Sequence, residues 1–128
     1  MSDLAAGPRA MWLAAPDRPG RLARVDPLGQ RVTLTGRIGF NPVALAIGRH
    51  AGWLVSPCGG PDCNVDEGFL TRFNPRSGRA AGQRVALHHE ASAVALSPTG
   101  VWVAGADPGG VGLTRIDRRT GTASYRVL

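Results

Sequence analysis

The sequence predicts an all-β fold of three four-stranded antiparallel sheets, and three observations carry that prediction. A pentapeptide recurs as Leu22-Ala23-Arg24-Val25-Asp26, Leu70-Thr71-Arg72-Phe73-Asn74 and Leu113-Thr114-Arg115-Ile116-Asp117. Each copy follows a tryptophan (Trp12, Trp53 or Trp102) set in a short apolar run. The 128-residue chain also carries 18 Gly and 10 Pro, a density of turn formers that suits short strands rather than long helices. Units of roughly 40–50 residues built from short alternating strands are the mark of β-propeller blades. The three units span about 1–41, 42–90 and 91–128, and together they make one propeller segment over 1–128.

The spacings support the alignment. Trp12 to Arg24 is 12 residues and Trp102 to Arg115 is 13, whereas Trp53 to Arg72 is 19. Asp26 to Trp53 is 27 and Asn74 to Trp102 is 28. Of the five intervals only the 19-residue one departs, so the mismatch falls in one surface loop, 56–68.

Within each unit the first strand is a run of small residues: Leu4-Ala5-Ala6, Ala44–Ile47 and Ala93–Leu96. Blades converge there, and bulky side chains would collide. The second strand holds the Trp, over Met11–Ala15, Trp53–Ser56 and Val101–Gly105. The third is the recurring pentapeptide, with Val25, Phe73 and Ile116 on one face and Leu and Arg on the other. Its arginine stem covers apolar surface while the head seeks a carboxylate or carbonyl. The fourth strand is Val32–Leu34, Arg84–Leu87 and Ser124–Val127. Asp26-Pro27-Leu28-Gly29, Asn74–Gly78 and Asp117–Gly121 join the last two strands. Each opens with a side chain that can bond its own backbone and ends with a glycine free to take positive φ. No stretch shows sustained helical periodicity.

Propellers have about 4–8 blades, so three do not close. The expectation is a half-ring completed by self-association into a six-bladed homodimer, or by additional blades of a larger propeller.

Charge and composition exclude some partners. The chain has a formal charge of +6 with 15 basic residues, all arginine, scattered over its length. No clustered basic stripe with interleaved aromatics exists, which argues against nucleic acid. No apolar run reaches the ~18–20 residues that span a bilayer, which argues against the membrane. Met1–Gly7 lacks the basic-then-apolar order of a secretory signal.

Cys58 and Cys63, the two cysteines, lie in the inserted loop across Gly59-Gly60-Pro61-Asp62, close enough for a disulfide. Oxidised, they would place the protein outside the cytoplasm. Free thiols are the alternative, and a metal site would require two more ligands from poor candidates, Asp62, Asp66 and Glu67. His88-His89-Glu90 is the one cluster of catalytic-type residues. It replaces Gly39-Phe40-Asn41 of the preceding unit and lies in the link from a fourth strand to the next first strand. In extended chain only His88 and Glu90 would converge on one metal or substrate. A solvated polar loop is the competing reading. His50 is expected in a turn at the other end.

Trp102-Val103-Ala104 followed by Gly112-x-Leu-Thr-Arg-Ile-Asp-x-x-Thr-Gly121 resembles the repeats of streptogramin lyase-like and YVTN-type propellers, as does Asn41-Pro42-Val43-Ala44. The resemblance covers the whole chain. It implies either a non-catalytic binding or scaffold module for a protein or small-molecule ligand, needing no cofactor, or part of a metal-dependent lyase. In the second case His88 and Glu90 would serve as catalytic and metal-binding residues, with a divalent metal such as magnesium and His as general base.

Overall fold

Two kinds of tight turn cut the chain into short strands. In the first, four residues are closed by a backbone hydrogen bond from the first N–H to the fourth carbonyl: Gly7 to Ala10 (2.9 Å), Gly48 to Ala51 (2.8 Å) and Ser97 to Gly100 (2.9 Å). In the second, a side-chain carboxylate or amide oxygen organises the backbone ahead of it. Asp26 Oδ1 accepts from Leu28 N at 3.0 Å, Asn74 Oδ1 from Arg76 N at 2.8 Å, and Asp117 Oδ1 from Arg119 N at 2.8 Å. Two of these turns end in glycines at positive φ, Gly78 at 69° and Gly121 at 77°. There a side chain would be strained.

The structure is a computed structural model that describes residues 3–14, 20–26, 28, 31–38, 42–56, 68–82 and 84–128. The described residues form twelve strands and no helix. The first sheet is β1 (Asp3–Ala6), β2 (Met11–Ala14), β3 (Leu22–Val25) and β4 (Val32–Leu34). The second is β5 (Ala44–Ile47), β6 (Gly52–Ser56), β7 (Phe69–Phe73) and β8 (Val85–Ala86). The third is β9 (Ala93–Leu96), β10 (Gly100–Asp107), β11 (Gly110–Asp117) and β12 (Ala123–Val127). All three are antiparallel meanders whose spatial order is the chain order. The all-β class and the three four-stranded sheets agree with the sequence reading. The fourth strand of the second sheet is shorter than Arg84–Leu87, because Arg84 and Leu87 lie outside the ladder. Among the described residues no helix is long and apolar enough to cross a membrane.

Register explains the pentapeptide. Trp12 lies between Ala5 and Arg24, Trp53 between Ala46 and Arg72, and Trp102 between Ala95 and Arg115. Directly opposed residues share a face, so each sheet has a tryptophan face and an opposite face. The arginine heads turn to the indoles: their Cζ atoms lie 5.9, 5.9 and 5.5 Å from the ring centroids of Trp12, Trp53 and Trp102. The sequence reading gave these heads a carboxylate or carbonyl. Arg115 has such partners as well, a half-buried 3.8 Å contact with Asp117 and a bond to Thr99 O. The cation–π contact contributes about 0.5–1 kcal/mol at such exposure.

Two cores hold the sheets together. In one, Trp12, Ala14 and Leu22 from the tryptophan face of the first sheet meet Leu45, Leu54 and Phe73 from the opposite face of the second. The rings of Trp12 and Phe73 are tilted, with centroids 5.3 Å apart. Phe73 lies over its cross-strand partner Gly52, where any Cβ would fall 2.3 Å from the ring. In the other core, Ala44, Val55 and Leu70 from the tryptophan face of the second sheet meet Val101, Val103 and Ile116 from the opposite face of the third. The sheets therefore follow one another in a constant sense, tryptophan face onto opposite face. Their first strands stand side by side, β1 against β5 and β5 against β9.

Candidate functional site

The link between the second and third sheets carries His88-His89-Glu90. It is tied to the start of β7 by backbone bonds from Gly68 N to His89 O (2.9 Å) and from Leu87 N to Gly68 O (2.8 Å). It is tied to the β10–β11 hairpin by Glu90 N to Ala106 O (3.1 Å). The same end of the first sheet shows the equivalent bond, Ile38 N to Gly20 O at 2.6 Å. Ile38 thus corresponds to Leu87, and both are buried. That matches the alignment of His88-His89-Glu90 with Gly39-Phe40-Asn41, which lie outside the described residues.

The link bends rather than running as extended strand, and this decides which imidazole goes inward. His89 is 1% exposed, whereas His88 and Glu90 are exposed. The His89 ring packs over Gly112, where a Cβ would lie 2.4 Å from its Cγ. Nδ1 faces the Glu90 carbonyl, which can only accept, so Nδ1 carries the proton. In the neutral ring Nε2 then accepts from the Thr114 hydroxyl at 2.8 Å. Both ring nitrogens are satisfied, as a buried polar group requires.

Tyr125 covers this arrangement. Its ring stacks on His89, 5.6 Å between centroids at 17°, and sits 5.4 Å from the exposed His88 ring. Its hydroxyl donates to Asp107 Oδ2 in a short hydrogen bond. That bond, with the backbone N–H of Gly109 on Oδ1 at 2.8 Å, holds the Asp107 carboxyl below its ordinary range. The same bond raises the Tyr125 phenol.

The chain Thr114–His89–Tyr125–Asp107 is thus a structural polar network at the mouth of one end, with His88 and Glu90 on its surface. The sequence reading singled out the two surface residues and missed His89, Thr114, Tyr125 and Asp107. The available signal was Gly112, a glycine at a strand position with a large partner above it. No three His, Cys, Asp or Glu side chains gather to hold a metal ion among the described residues. Among the described residues, no third such side chain joins His88 and Glu90. Cys58, Cys63, Asp62, Asp66 and Glu67 lie outside the described residues, and with them the disulfide reading.

His50 is exposed in the β5–β6 turn at the opposite end. It lines a cleft with Trp53, Arg72, Arg118 and Arg119. The sequence-predicted candidates thus divide between two ends of the molecule. Compared with known proteins, the chain matches no family model and no curated protein.

Proposed function

We propose that the chain is a non-catalytic binding or scaffold module built from three β-propeller blades, presenting the loops at the His88-His89-Glu90 end to a protein or small-molecule ligand. The observation that carries this reading is the commitment of the one buried imidazole. A general base must reach a substrate proton, and His89 has both nitrogens engaged beneath Tyr125. His88 and Glu90 remain exposed at the rim, available for contact with a ligand. The constant stacking sense of the sheets, with first strands adjacent, supports the blade reading. Radial sheets that converge on their first strands bring the links and the β6–β7 and β10–β11 connections to one rim.

Titration calorimetry with magnesium separates the module from the metal-dependent lyase. The intact chain is expected to give no saturable heat. Saturable binding abolished by His88→Ala and by Glu90→Ala would overturn the module reading and favour the enzyme.

A further inference from the structure

The two outer sheets each leave one face without a mate among the described residues. The third sheet presents its tryptophan face: Trp102 and Leu113 are half-buried, Val111 is 47% exposed and Leu128 67%. This face holds a shallow groove lined by Trp102, Leu113, Arg115 and Leu128. The first sheet presents its opposite face: Met11, Leu13 and Val25 are half-buried, and Val32 and Leu34 are 64% and 42% exposed. Register places Met11, Val25 and Val32 in one row across that sheet. Every exposed large hydrophobic side chain among the described residues belongs to the first or third unit, and none to the sheet covered on both sides. Val32 and Leu34 lie on the unmated face of the first sheet and Val111 and Leu128 on that of the third, whereas Tyr125 and Val127 pair with Thr114 and Gly112 on the third sheet's other face and Leu28 is in a turn.

Resting on the blade reading above, we infer that a second copy of this chain covers both faces, closing a six-sheet ring by head-to-tail contact. The template is internal. Trp12 of the first sheet receives Phe73 from the next, and the core around Trp53 receives Ile116 from the one after. Val25 occupies the same pentapeptide position as Phe73 and Ile116. It is the residue that a third such contact would bring onto Trp102 and Leu113. A two-fold axis supplies this contact twice, from the third sheet of each protomer to the first sheet of its partner. No unmated face is left, and the count lies within the ~4–8 blades of closed rings. A contact between two identical faces would instead set Trp102 against Trp102, an arrangement with no counterpart in either core.

Light scattering on the intact chain is expected to give a dimer. Val25→Arg alone and Leu113→Glu alone are expected to give monomers with unchanged circular dichroism, since both residues lie outside the two cores. Mixing the two variants should restore a heterodimer, because one interface then pairs two native faces and the other pairs Arg with Glu. A monomeric intact chain overturns closure, whether the faces stay bare or await further blades of a longer protein. A dimer that survives Val25→Arg but not Leu113→Glu overturns the head-to-tail arrangement in favour of like-to-like contact. If either variant loses its fold, the mass of the intact chain decides. X-ray scattering distinguishes the two levels: a monomer that keeps the profile of three stacked sheets sinks closure alone, and loss of that profile sinks the blade reading with it.

Discussion

Tyr125 is the chain's only tyrosine, so its titration can be followed by phenolate absorbance without interference. Its phenol is raised above the ordinary 10.0 by donation to Asp107. The stability from that bond is therefore complete below pH 10 and is lost as pH rises through the raised value. On the acid side Asp107 is lowered from 3.8, so its contribution is complete above pH 3.8 and is lost as pH falls through the lowered value. Asp107→Asn is expected to bring the phenolate transition back toward 10, and an unmoved transition would contradict the hydrogen bond. A second prediction concerns the indoles. Trp102 Nε1 donates to Ser97 Oγ at 3.2 Å, whereas Trp53 Nε1 is buried without a partner among the described residues. The residue five before Trp53 is Gly48, in the turn position that Ser97 occupies in the third sheet. Gly48→Ser supplies the missing acceptor and should stabilise by about 0.5–1.5 kcal/mol in denaturant unfolding. A Cβ there meets Ala51 O at 3.3 Å and Leu96 Cδ1 at 3.4 Å, so small adjustments take up part of the gain.

At the scale of the strand, the three tryptophans share a register but not an environment. Trp12 is 2% exposed in the core between the first two sheets, while Trp102 lies half-buried on an unmated face. Trp12→Ala should therefore cost about 3–5 kcal/mol in thermal or denaturant unfolding. Trp102→Ala should cost less under conditions where the chain is monomeric. Equal losses would contradict the assignment of that face as open. The pentapeptide made the third strands legible, because an apolar residue alternating with Leu and Arg must show two different faces. It did not reveal that Arg24, Arg72 and Arg115 cap tryptophans. That pairing depends on cross-strand register, and the 19-residue interval from Trp53 to Arg72 hides it in the middle unit.

For the molecule as a whole, the constant stacking sense is the property with most consequence. Each interface joins a tryptophan face to an opposite face, so a short array of such sheets always ends in two complementary halves. The middle sheet carries no exposed large hydrophobic residue among those described, whereas its neighbours carry Val32, Leu34, Val111 and Leu128. Association that covers these residues would be worth roughly 25 cal/mol per Å² of apolar surface removed from water, before the cost of ordering two molecules. Under the proposed closure the ring is completed between two chains, whereas the polar network at the rim forms within one chain.

Strand positions, turns and the all-β class were fixed by local sequence: Asn74 to Gly78 and Asp117 to Gly121 specify their turns through bonds within five residues. The candidate site was only half visible. His88-His89-Glu90 stands out in the sequence, and alternation separates His88 and Glu90, which are exposed, from His89, but it gives no sign of what buries His89. Tertiary structure chose His89 for burial, because Gly112 leaves room for an imidazole and Thr114 and Tyr125, 25 and 36 residues further along the chain, complete its contacts. Short-range hydrogen bonding is encoded by neighbours in sequence; partnership between distant side chains exists only once the sheets have stacked.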